Sequence, residues 1–277
     1  MQSQSMFRNK PFQTFILASV VLLSACKTVP ITGRKQVSLI PGSQMNAMAV
    51  DQYKQVLESS KLVKGTPQSK MVEEVGLRIS KAVEEYLKAN GHGDLVKEFQ
   101  WEFNLIDEDV ANAWCMPGGK VAFYTGILKV CKDATGVAVV MGHEIAHAVA
   151  KHGSERMSQG LVQQAGGVAL SVALKDKPQE TQSLYMAAYG LGSQYGAMLP
   201  FSRLHESEAD KMGLYFMAMA GYNPNEAPKF WERMAANSGG AAPLEFLSTH
   251  PSHKTRIEDL NKNMKKAQDY YQKAQSK

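Results

Sequence analysis

The sequence predicts an α+β domain that is mainly α-helical with one small β-sheet, and three observations carry that expectation. Apolar residues Met71, Val75, Ile79, Val83 and Leu87 recur at every fourth position, as one face of a helix requires. The stretch Phe99 to Ile106 alternates in polarity, and Val121 to Thr125 follows the turn Pro117-Gly118-Gly119, so both read as strands. From Asp133 onward the pattern is helical nearly to the end, with breaks expected at Gly153, Pro178, Pro200, Pro224 and Gly239-Gly240.

The chain has 277 residues and 44% hydrophobic content, enough for one sizeable core, and a single main domain over residues 43–277 is expected. A net charge of +5 and a pI near 8.9 point weakly to an anionic partner. The lysines and arginines are interspersed with acids, however, which argues against nucleic-acid binding. No internal repeat is visible, so no helical-repeat interaction module is expected.

Residues 1–25 read as a signal segment: Arg8 and Lys10 precede a mostly apolar, uncharged run from Phe12 to Leu23. That run is shorter than the roughly 20 residues a spanning helix needs. Its end, Leu23-Ser24-Ala25-Cys26, resembles the lipobox of bacterial lipoproteins. On that resemblance Cys26 becomes the first residue and carries lipid, and residues 26–42 form a lipidated membrane anchor and tether. Lys27, rather than aspartate, after the cysteine leans toward the outer membrane of a bacterial envelope, with the domain facing the periplasm. An exported compartment permits a Cys115–Cys131 disulfide, and two free buried thiols are equally open.

Pro30, Gly33, Pro41 and Gly42 give Lys27 to Gln44 the look of a tether or loosely packed arm. A first helix is expected through Met45, Met48, Gln52 and Val56, ahead of the one marked by Met71 to Leu87. The methionines read as flexible packing material. Leu161 to Leu174 comes nearest to a membrane span but is too short, and is expected to pack in the core or cover the active site. The Lys- and Gln-rich tail from His253 reads as a solvated terminal helix.

Within Val137 to Lys151 stands His143-Glu144-Ile145-Ala146-His147. Residues four apart on a helix lie about 40° apart around its axis, so the two imidazoles can converge on one zinc ion. Glu144 is then placed to accept a proton from an activated water and hand it to a departing amine. His152 would lie on the opposite side of a continuous helix from His143 and reads as a structural residue near the helix end. The third ligand is expected on a second helix, Ser202 to Gly213. There Glu206 is the candidate, and Asp210, four residues on, is placed to accept an imidazole N–H. Glu208 points to a different face, His205 reads as a neighbour, and Gly213 would allow close helix approach.

Taken together these residues resemble the zinc metalloendopeptidases of the HtpX-like and CAAX-prenyl-protease-like family, gluzincins with HExxH followed by ExxxD. Asn112-Ala113-Trp114 with Pro117-Gly118-Gly119 is similar to the family's active-site edge strand. Ser202-Arg203 ahead of Glu206 is similar to its SRxxExxAD helix, and Thr249-His250-Pro251 with Arg256 to its HP element. The resemblance implies a zincin-type peptidase fold, one zinc per chain, and misfolded or membrane-associated protein substrates. It further implies that Asn112 and Ala113 offer edge-strand backbone to an extended substrate. His250 and Arg256 would stabilise the oxyanion, or His250 would occupy the open zinc position in a resting form; a helix-start histidine before Pro251 is the plainer alternative. No segment beyond residue 25 is long enough to span a bilayer, so prenyl-protein processing is not implied, and the likeness is to the soluble lipoprotein-type branch of bacterial envelopes.

Two functions stay open on these grounds: an endopeptidase cutting unfolded or misassembled envelope proteins, and a chaperone or assembly factor with little proteolysis. The complete set His143, Glu144, His147, Glu206 and Asp210 favours the enzyme. A purely structural zinc site would favour cysteine and fill all four positions.

Overall fold

The computed structural model describes residues 26–237, 250 and 255–276; the expected signal segment, Gly239-Gly240, Thr249, Pro251 and His253 lie outside them. The described chain opens with a hairpin of two strands, β1 (Cys26–Thr28) and β2 (Lys35–Val37), with Cys26 opposite Val37. This stretch was expected as a loose tether, yet Val29, Pro30 and Gln36 are buried. The reason is Arg34, whose terminal nitrogens donate to both oxygens of Glu155 at 2.9 and 2.8 Å while its Nε donates to Glu208 at 2.8 Å.

Burial alone would raise the carboxyls of Glu155 and Glu208. Bonds from His205 and Arg34 to the first, and from His152, Arg34 and Thr32 to the second, outweigh it and hold each at about 2 in place of 4.5. A carboxyl depressed in the folded state stabilises the fold above its unfolded pKa, and that contribution is lost as pH falls toward 2. Thermal unfolding followed from pH 5 down to pH 2 is therefore expected to show a falling midpoint. Arg34→Gln should make that fall shallower, and an unchanged slope would sink the assignment.

Helix α1 (Gly42–Ser59) buries Met45, Ala49 and Tyr53, whereas Met48 is exposed, so its inner stripe is rotated from the expected one. Helix α2 (Pro67–Ala89) starts at a capping box: Thr66 accepts from the Ser69 backbone, and the Ser69 hydroxyl accepts from Thr66. Val75, Ile79, Val83 and Leu87 form its buried face.

The main sheet contains β3 (Leu62–Val63), β4 (Glu102–Ile106), β5 (Ala113–Met116) and β6 (Lys120–Tyr124), in the order β3-β4-β6-β5. β4 and β6 run parallel; the other pairs are antiparallel, and among the described residues no strand pairs with the outer side of β5. Gly118 and Gly119, at φ 81° and 83°, make the β5–β6 turn. A Cβ at Gly119 would also meet the Trp101 ring at 2.8 Å.

After α3 (Thr125–Cys131) comes α4 (Ala134–Val149), started by Asp133 accepting from Thr135 and Gly136 backbone N–H at 2.8 and 3.0 Å. α4 is buried on every side because α2, β5, and the later helices α7 (Leu199–Met219) and α8 (Glu226–Asn237) all pack on it. Between α4 and α7 lie α5 (His152–Leu174) and α6 (Gln179–Ser193). Of the two expectations for Leu161 to Leu174, core packing is corrected for most of the segment: Leu161, Val162, Val168 and Val172 are exposed, and Leu174 is buried at its end. Pro200 was expected as a break. Instead a π-helical turn, Gln194–Met198, leads straight into α7, and the proline sits in the first turn, where a missing N–H is tolerated.

The last helix, α9 (Arg256–Gln275), lies along α7 with Leu260 and Ala267 buried, and Tyr215 donates to Asn263 at 2.9 Å. It is therefore a packed element on one face rather than a wholly solvated tail. Cys115 and Cys131 are free thiols. No described helix is long and apolar enough to cross a membrane.

Candidate metal centre

The site forms where α4 and α7 touch. Gly142 on one helix faces Gly213 on the other, and a Cβ on Gly213 would lie 2.7 Å from the backbone nitrogen of His143. That approach carries His143 and His147 on α4 against Glu206 and Asp210 on α7, and His250 closes the group. His143 Nε2 is 3.1 Å from His147 Nε2, 3.3 Å from His250 Nδ1 and 3.4 Å from Glu206 Oε2. Glu206 Oε1 is 3.4 Å from His147 Nε2, and His250 Nδ1 is 3.2 Å from each Glu206 oxygen.

These spacings fit zinc. Tetrahedral bonds of about 2.0–2.1 Å put donor atoms about 3.3–3.4 Å apart, which is close to what the four side chains present. All four are buried, and nitrogen with one carboxylate oxygen is an ordinary zinc donor set.

The surroundings orient the ligands. His143 Nδ1 is 3.0 Å from Asp210 Oδ1, so that carboxylate fixes the ring with Nε2 toward the cluster. Arg256 is 1% exposed, donates to Asp210 at 2.6 Å and to Glu206 at 2.9 Å, and lies 3.7 Å from the centroid of Trp231. It thus ties the two carboxylates together from α9.

The electrostatics follow from burial and pairing. Burial disfavours charge on His143, but its bonds to Asp210 and Glu206 prevail and lift it to about 10. Burial drives His147 well below its ordinary range. Burial would raise Glu206, yet His147, His143 and His250 hold it far below the usual carboxylate range. Glu144 is pushed up by burial, with His250 and His143 opposing; its Oε1 lies 3.5 Å from His250 Nε2.

Asn112 and Ala113 enter the edge strand β5, and the Asn112 Oδ1 accepts from the Ala113 N–H at 2.9 Å. Beside the strand is a cleft of about 250 Å³ lined in part by Met45, Cys115, Met116, His147 and Arg156.

His152 requires a correction. The opposite-side argument assumed an unbroken helix, but Lys151 adopts a left-handed conformation at φ 56°, ψ 34°, and a new helix starts at His152. The chain swings back, placing His152 Nδ1 2.8 Å from His147 Nδ1.

Residues 77–264 match the profile of Peptidase family M48. This chain belongs to that family. It is a zinc metalloendopeptidase, and the cluster of His143, His147, Glu206 and His250 is where an M48 peptidase of this sequence can hold the metal. The M48 chain is 33% identical over 268 residues to "Mitochondrial metalloendopeptidase OMA1" of Schizosaccharomyces pombe, covering 94% of this chain and 74% of that one. It is 29% identical over 258 residues to "Metalloendopeptidase OMA1, mitochondrial" of Homo sapiens, covering 89% of this chain and 47% of the relative. It is 25% identical over 240 residues to "Beta-barrel assembly-enhancing protease" of Escherichia coli, covering 84% and 46%. The chain therefore spans about half the length of the latter two. The expected location in a bacterial outer membrane is corrected by these matches. The relatives of higher identity are named mitochondrial, and the bacterial one matches at lower identity.

Proposed function

We propose that this M48 peptidase cleaves extended segments of unfolded or misassembled proteins, gripping them through main-chain hydrogen bonds along β5. The observation that carries the reading is the edge of β5, unpaired among the described residues, lying against α4 beside the cleft that reaches His147. The Asn112 carbonyl accepts from the Tyr124 N–H at 3.1 Å, so antiparallel alternation turns the N–H and C=O of Cys115 and the C=O of Ala113 away from β6, while the Ala113 N–H is held by Asn112 Oδ1. An added strand reads backbone rather than sequence, which suits substrates that share only being unfolded. The name of the Escherichia coli relative, with its reference to assembly, is compatible with such clients.

His143, His147 and Glu206 would hold the zinc, which when bound would supply Lewis acidity toward the scissile carbonyl and an attacking water. Glu144 would take the proton from the attacking water and return it to the leaving amine, and its carboxyl, raised by burial, suits both halves of that task. Asp210 keeps the His143 ring aligned, and Arg256 keeps Asp210 and Glu206 in place.

A test is cleavage of an unfolded protein by the zinc-loaded chain and by Cys115→Pro, which removes one outward N–H at an edge position where proline is tolerated. The expected result is a severalfold higher KM with zinc content unchanged. An unchanged KM would remove the edge strand from substrate binding.

One observation favours a latent resting form. His250 Nδ1 lies within the ligand cluster, 3.3 Å from His143 Nε2, where a fourth donor belongs. On this reading His250→Ala is expected to raise the cleavage rate by opening that position. A fall would assign His250 to the oxyanion instead.

A further inference from the structure

A histidine that binds zinc through Nε2 keeps its proton on Nδ1, and that N–H needs an acceptor. For His143 the acceptor is Asp210. For His147 it is another imidazole: His147 Nδ1 and His152 Nδ1 are 2.8 Å apart, both buried. Two ring nitrogens can bond only if one donates and the other accepts. His147 must donate, so His152 accepts at Nδ1 and carries its own proton on Nε2. That Nε2 lies 3.0 Å from Glu208 Oε2, an acceptor in the right place.

The chain of contacts continues outward. Glu208 accepts from Arg34 Nε at 2.8 Å and from the Thr32 hydroxyl, both on the N-terminal hairpin. The same guanidinium grips Glu155, which accepts from His205 Nε2 at 2.8 Å. His205 in turn stacks on His152, ring centroids 4.3 Å apart and planes at 17°. Every side chain between Arg34 and His147 is almost fully buried, His152 at 0% and Glu208 at 5% exposure. From Arg34 through Glu208 and His152 to His147, each hydrogen bond has one consistent assignment of donor and acceptor.

We infer that His152 and Glu208 are positioning residues for the zinc ligand His147, and that Arg34 clamps them, so that docking of the N-terminal hairpin governs how tightly the metal is held. The inference rests on zinc binding at His143, His147 and Glu206. It makes the hairpin, remote in sequence from both zinc-binding helices, part of the metal site.

The experiment uses the full chain and reads zinc affinity by competition with a chromogenic chelator, alongside the visible absorption of the cobalt-substituted protein. His152→Phe is expected to weaken zinc binding about 10- to 100-fold, the usual effect of losing such a partner, and to shift the cobalt spectrum. His152→Gln, whose amide oxygen can still accept from His147, should recover most of the affinity. Arg34→Gln removes the outermost link, leaves the buried histidines in place, and should release zinc to the chelator severalfold faster. Wild-type affinity in His152→Phe, equal losses in His152→Phe and His152→Gln, or unchanged release from Arg34→Gln would each overturn the relay. If His152→Phe does not fold, Arg34→Gln decides alone. A wild-type chain that binds no zinc would overturn the relay together with the metal assignment beneath it.

Discussion

Glu144→Gln is expected to lower the rate of peptide-bond cleavage by about 100- to 10,000-fold, the range that general acid–base catalysis supplies, while zinc stays bound. The glutamate is 2% exposed on α4, next in sequence to His143, and is not among the side chains that converge on the ion. Glutamine preserves its shape but cannot take up and return a proton. Metal content measured beside cleavage of an unfolded protein separates this outcome from collapse of the site. Activity within tenfold of wild type would move the proton transfer to another group.

The second large effect is expected far from any reacting atom. Gly213→Ala would place a methyl 2.7 Å from the His143 nitrogen and 2.8 Å from the Gly142 carbonyl carbon, both backbone atoms that cannot swing aside. α4 and α7 must then separate. Overpacking of this kind costs about 1–3 kcal/mol, and the same movement draws Glu206 and Asp210 away from His143 and His147. We expect a lowered Tm and substoichiometric zinc in one variant. Gly160→Ala is the control: it is helical, its added methyl meets nothing within 4 Å, and it should stabilise slightly. Equal behaviour of the two variants would show that the helix contact is not what assembles the site.

The parts legible in the sequence were those set by local periodicity. The HExxH spacing on α4 and the Glu206–Asp210 spacing on α7 are helical geometry, and α2 and the strands β4 and β6 follow from repeating side chains. What escaped depended on single backbone conformations or distant partners. One left-handed residue, Lys151, brings His152 round to His147, and no composition signal marks a lysine for φ 56°. Arg34 meets Glu208 across 174 positions, a pairing that periodicity cannot express, so the hairpin passed for a tether. The Leu161 to Leu174 segment misled differently: its apolar, uncharged character is real, but hydropathy does not tell a covered helix from an exposed one. Trp231, seated over Arg256, carried no sequence signal at all.

The donors of the cluster come from three separate parts of the chain, with His143 and His250 107 positions apart and Glu206 and His250 44 apart. A bound ion is therefore a cross-link as well as a reagent. It fastens the folded arrangement and loses its grip when the chain opens, so metal supply sets how often the molecule unravels. Copies starved of zinc are expected to be digested sooner than loaded ones by any neighbouring protease, which would make the enzyme subject to the same fate it deals to others.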